Sequence, residues 1–116
     1  MRKALVFAAL GIVGLAAWPA TAAPRSARCV IASAESATWR GPCMFLAERG
    51  GSFSISPPRG DFGDGIDIIS VSLIRPGVAE VRGLTSDGIN SRWGEARRST
   101  RDRACWIGED FSICVY

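Results

Sequence analysis

The chain has 116 residues, 47% of them hydrophobic, with a formal net charge of +3, which is enough for one small domain and not for two. Beyond residue 22 it carries twelve arginines, no lysine, and eleven Asp plus Glu, a near-neutral balance that gives no case for nucleic acid or an anionic membrane surface. It has no histidine and four cysteines without C-x-x-C spacing, which argues against zinc and removes the commonest catalytic base.

Residues 1–22 read as a secretory signal peptide. Arg2 and Lys3 form a short basic start, residues 4–17 are almost purely apolar, Trp18-Pro19 breaks the helix, and Ala20-Thr21-Ala22 offers small residues at an expected cleavage point. The apolar run is short for a membrane span, and no stop-transfer pattern follows it. Cys29 follows Ser26-Ala27-Arg28 and not an apolar lipobox. The expected product is therefore a single exported domain, residues 23–116, located in the periplasm and without a membrane span.

The exported part reads as a series of short strands. Residues 23–28 are expected to be a loose tail, Cys29-Val30-Ile31 the first strand, and residues 32–37 a connection. Trp39-Arg40-Gly41-Pro42 has turn chemistry, and residues 43–47 form a second strand. After a turn at Arg49-Gly50-Gly51, Ser52-Phe53-Ser54-Ile55-Ser56 alternates with period two, placing Phe53 and Ile55 inward. Pro57-Pro58 ends that strand because neither proline can donate to a ladder. A Gly- and Asp-rich loop at residues 61–67 leads to a strand at 68–74. Arg75-Pro76-Gly77 turns into a strand at 78–82, and Thr85-Ser86-Asp87-Gly88 turns into another at 89–93. Residues 95–98 fit either a strand or one helical turn. The last thirteen residues are two apolar arms around Gly108-Glu109-Asp110, a β-hairpin in which Cys105 and Cys114 fall opposite each other when the loop is even. Alternation puts Cys105 and Ile107 on one face and Trp106 on the other. The expected fold is all-β, a small antiparallel β-barrel or sandwich of seven to eight short strands with two disulfides.

An even cysteine count in so small an exported domain implies two disulfides. Of three pairings, the local ones, Cys29–Cys43 and Cys105–Cys114, are favoured, each contributing about 3 kcal/mol in the chain-entropy model. Catalysis is hard to build without His or Lys and with both thiol pairs oxidised. Two carboxylates would suffice for glycoside hydrolysis, but Glu48, Glu80, Glu95 and Glu109 have no relative placement in the sequence, and no enzyme activity is expected. Gly63-Asp64-Gly65-Ile66-Asp67-Ile68-Ile69 matches part of the calcium-binding nonapeptide repeat. A single copy lacks the neighbouring turns that complete such sites, so the stretch reads as a Gly-Asp turn, with no metal or cofactor expected.

Seven of the twelve arginines lie between residues 75 and 103, where Glu80, Asp87, Glu95 and Asp102 are available to pair with them on a solvated face. Trp39, Trp93 and Trp106 suit either a core or an aromatic platform, and Trp106, beside a cysteine, reads as core. Trp93 differs because it follows a turn and adjoins Arg92. The stretch 83–94 is accordingly the candidate site, with Ser86, Asp87, Gly88, Asn90, Arg92 and Trp93 as target-binding residues on a short stiff hairpin that loses little entropy on binding. An ordinary connecting loop is the alternative.

An exported, disulfide-bonded β domain in which Ser86-x-Gly88 is followed by Arg92-Trp93 resembles the proteobacterial periplasmic lysozyme inhibitors. These carry a loop of the type S-x-S-G-x-R-Y or S-G-x-x-Y that enters the lysozyme cleft near its catalytic carboxylates. In this chain the serine-to-arginine spacing is longer and Trp93 stands in place of tyrosine. The exported chain is also similar to small alphaproteobacterial envelope proteins, among which a peptidoglycan hydrolase inhibitor is known. The resemblance implies an inhibitor whose partner is lysozyme or a bacterial peptidoglycan hydrolase, protecting the wall of a bacterium exposed to host lysozyme, with a role in virulence. The alternative is a non-catalytic peptidoglycan- or glycan-binding envelope protein that uses Trp39 and Trp93. A convex loop at residues 86–93 favours the inhibitor, and a groove favours the glycan binder.

Overall fold

Period-two alternation and β-branched residues give eight strands in the computed structural model, which describes residues 11, 14 and 23–116. In chain order they are β1 (Arg25–Ser33), β2 (Trp39–Ala47), β3 (Phe53–Ser56), β4 (Ile66–Arg75), β5 (Val78–Thr85), β6 (Asn90–Arg98), β7 (Cys105–Gly108) and β8 (Phe111–Val115). Each pairs antiparallel with the next, and β1 also pairs with β8, so the sheet closes into a barrel and not a sandwich. The expected signal peptide lies outside the described residues, Gly11 and Gly14 apart. Among the described residues no helix is long and apolar enough to cross a membrane.

The inward positions of the strands fill the barrel. Ile55, Ile69, Val71, Val81 and Ile113 are at most 1% exposed, and the cross-strand pairs Ile55↔Ile69 and Val71↔Val81 stack them in layers. An eight-stranded barrel is just wide enough for side chains to occupy its interior. Phe53 and Ile55 point inward, as their alternation predicts, and Trp106 is buried against Ile113, its partner across β7–β8. Pro76 and Gly77, the latter with φ +75°, make the two-residue turn from β4 to β5.

Both local disulfides are present, and they differ in placement. Cys105 and Cys114 are directly opposed across β7–β8, with Cα atoms 4.0 Å apart. They lie on the face opposite Trp106, outside the core cluster. Cys29 and Cys43 sit diagonally on β1 and β2, since Cys29 faces Gly41 and Cys43 faces Ala27. Their Cα atoms are 5.8 Å apart, and both residues are 1% exposed within the core.

Two local expectations are corrected, and one open alternative is decided. Residues 25–28, expected as a loose tail, belong to β1: they pair with residues 42–45, and Arg28 exchanges backbone hydrogen bonds of 3.0 and 2.8 Å with Tyr116. Trp39-Arg40-Gly41-Pro42, read as a turn, is the first half of β2. Pro42 is tolerated there because its partner Arg28 directs both backbone groups to Tyr116, just past β8, while β3 pairs with β2 only over residues 44–47. The absent N–H thus faces a position with no ladder to complete. Residues 95–98 continue β6 and do not form a helical turn.

Candidate functional site

The six residues singled out in the sequence all lie on the β5–β6 hairpin, and the fold divides them between its tip and its base. The tip is held by short bonds. Thr85 N–H donates to Ile89 O (2.9 Å), Gly88 N–H donates to Thr85 O (3.0 Å), and Ile89 N–H donates to Thr85 Oγ1 (3.0 Å). Gly88 takes φ +83°, a conformation that glycine adopts without strain. Ser86 N–H reaches Gly65 O at 3.2 Å, which ties the tip to the loop between β3 and β4. Residues 86–92 are exposed without interruption, so Ser86, Asp87, Gly88 and Asn90 stand in solvent on a stiff support.

Arg92 is positioned by a carboxylate that the sequence reading had assigned only to a general solvated face. Arg82 and Arg92 are directly opposed across β5–β6, an arrangement that two like charges resist. Glu80 resolves it: its Oε1 accepts from Arg82 Nη2 at 2.8 Å and forms an ion pair with Arg92 Nε at 3.0 Å. The Arg92 side chain remains 63% exposed. An exposed pair of this kind is weak, and Arg82 alone still serves Glu80 if Arg92 turns toward another acid. Glu80 therefore orients Arg92 without trapping it.

Trp93 turns the other way. The register shifts between Val81↔Gly94 and Arg82↔Arg92, leaving Trp93 as the extra residue of a β-bulge. Such a bulge re-aims side chains, and here it lets both Trp93 and Ala96 face inward although they are three residues apart. The Trp93 indole lies on Gly83 and meets the Phe111 ring edge-on, with centroids 5.7 Å apart. Trp39 is held in a parallel way, over Gly41 and edge-on to Phe62 at 4.8 Å.

These four aromatic residues line a cavity of about 760 Å³ at one open end of the barrel. The barrel opens there because β3 is short, and the loop between β3 and β4, carrying Phe62, covers the gap beside the first half of β2. The loop between β1 and β2 forms the opposite rim, and Ser36 Oγ donates to Asp64 Oδ2 across the two loops at 3.3 Å. Glu35, Asp64 and Asp110 make the rim acidic, with Arg92 as its cation. Ser86, Asp87, Gly88 and Asn90 do not line this cavity, whereas Arg92 and Trp93 do. The hairpin is thus convex at its tip and part of a hollow at its base.

Sequence reasoning missed two residues, and it named Glu80 only as one of four acids available to pair with the arginines. Ile89 is 59% exposed at the tip, and an apolar residue inside a turn of small polar ones was its signal. Phe62 was the single aromatic residue in a Gly- and Asp-rich loop. Glu80, two residues before Arg82, belonged to an outward-facing row that the alternation of β5 already implied. Among the described residues no group of three or more His, Cys, Asp or Glu is placed to hold a metal ion. No family model, curated protein or solved structure matches this chain.

Proposed function

We propose that this chain is an exported, periplasmic inhibitor of lysozyme or a related peptidoglycan hydrolase, acting by inserting the β5–β6 hairpin into the enzyme cleft. The observation that carries the reading is the exposed run 86–92 on a hydrogen-bonded turn, ending in an arginine that is oriented yet releasable. A preorganised loop avoids much of the ordering cost of association. A glycosidase cleft presents two carboxyl groups between sugar-binding walls. In that setting Arg92 pairs with a cleft carboxylate, Ser86 and Asn90 supply hydrogen bonds in the subsites, and Ile89 covers apolar wall. A charge-assisted pair shielded from water is stronger than the same pair on an open surface.

The test is lysis of peptidoglycan by a c-type lysozyme, with and without oxidised residues 23–116, which contain the whole barrel and both disulfides. Dose-dependent inhibition is expected. Arg92→Ala should weaken it by about 2 kcal/mol or more, roughly 30-fold, with the fold unchanged because the side chain is largely exposed. Absence of inhibition against c-type lysozyme, goose-type lysozyme and a bacterial hydrolase alike rules the reading out.

A further inference from the structure

We propose that the open end of the barrel is a carbohydrate subsite, taking a neutral or amino-bearing pyranose ring against Trp39 and Trp93. This goes beyond inhibition by the hairpin tip, with which it shares only Arg92 and Trp93. Two tryptophans are brought to one cavity from strands on different sides of the barrel, each resting on a glycine and braced edge-on by a phenylalanine. Both are only partly buried, so their rings are fixed in place without being fully covered. Rigid, partly exposed indoles offer the flat apolar surface on which the C–H face of a sugar ring packs, and a few polar groups around an apolar pocket fix a ligand's orientation. The rim supplies such groups in Ser36, Asp64 and Asp110, the last of these in the turn between β7 and β8.

The same geometry excludes other ligand classes. An alkyl chain would need to run into the barrel, but Ile55, Ile69, Val71, Val81 and Ile113 fill the interior and none of them lines the cavity. Phosphorylated or sulfated ligands would face three carboxylates against one arginine, and that arginine is already paired with Glu80. A hydroxylated, uncharged or cationic ring meets neither obstacle. Amino sugars, acetylated or free, combine these features.

The test is saturation-transfer NMR on residues 23–116 with N-acetylglucosamine oligomers, glucosamine oligomers and a sulfated disaccharide as probes, in the absence of any enzyme. Transfer to the ring protons of the first two is expected, with none to the third. Ser36→Trp, on an exposed loop of the rim, should abolish the signal by filling the mouth. Trp39→Ala should weaken binding at least tenfold, and Asp87→Ala at the tip should leave it unchanged. No transfer with either amino-sugar oligomer, transfer that survives Ser36→Trp, or equal binding of the sulfated sugar overturns the proposal. Inhibition is scored separately by lysis, so loss of sugar binding with inhibition intact, or the reverse, shows which of the two readings has failed.

Discussion

Gly83 and Tyr116 each put a single-residue contact within reach of experiment. A Cβ at Gly83 would stand 2.9 Å from Trp93 Nε1 and 3.1 Å from Cε2 and Cζ2, closer than a packed ring tolerates. Gly83→Ala should therefore cost about 1–3 kcal/mol of stability through overpacking. It should also shift the Trp93 ring, read as a lower urea midpoint at constant slope together with changed tryptophan emission. Tyr116, the one tyrosine in the chain, donates its hydroxyl to Asp102 Oδ2 at 2.6 Å. Ionising it would remove that donor and set two negative charges together, so its pKa is raised above 10.0 chiefly by the Asp102 hydrogen bond. A raised folded-state value means that the contact's contribution to stability is complete below the unfolded pKa near 10 and is lost as pH rises through the folded one. Titration of the phenolate absorbance should give a midpoint above 10, moving back toward it in Asp102→Asn. An unmoved midpoint in that variant would exclude Asp102 as the cause.

At the scale of elements, the two disulfides do the same covalent work in different surroundings. Each closes a short loop, with sequence separations of 14 and 9, and on chain entropy alone each contributes about 3 kcal/mol. Cys29–Cys43 also fills core volume, while Cys105–Cys114 lies outside the core cluster. Removing the inner pair as a double alanine variant adds a cavity cost to the entropic one. The Cys29→Ala/Cys43→Ala variant should therefore unfold at a lower urea concentration than Cys105→Ala/Cys114→Ala. The reverse order would show that the outer pair, by pinning β7 to β8, matters more than packing. The bulge in β6 is a second element-scale device, since it turns Trp93 inward beside an Arg92 whose side chain stays 63% exposed.

At the scale of the whole molecule, closure of the barrel brings the two surfaces together. Pairing of β1 with β8 carries the loops after β1 and β3 to the same end as the base of the β5–β6 hairpin. The stiff convex tip and the aromatic hollow are therefore neighbours, although their residues are spread from Ile31 to Phe111. The lysis assay addresses the first surface and saturation-transfer NMR the second. A variant such as Asp87→Ala should separate them by affecting only the tip.

Much of this protein was legible in its sequence, because the relevant signals are local. Alternation gave the all-β class and the inward Phe53 and Ile55. Turn chemistry located the β4–β5 and β5–β6 hairpins, and cysteine spacing led to both disulfides. Composition singled out the 83–94 stretch, of which residues 86–92 are exposed. Local signals erred where a long-range partner overrode them: Arg25 to Arg28 are ordered by β2 and the chain's last residue, and Gly41-Pro42 is strand because its missing donor faces no ladder. Barrel closure, the bulge that turns Trp93 inward, the sharing of Glu80 by two arginines, and the meeting of Trp39 with Trp93 were decided only by tertiary structure. Each depends on which distant strands lie side by side and in what register, whereas the period of a strand records only which of its own faces is buried.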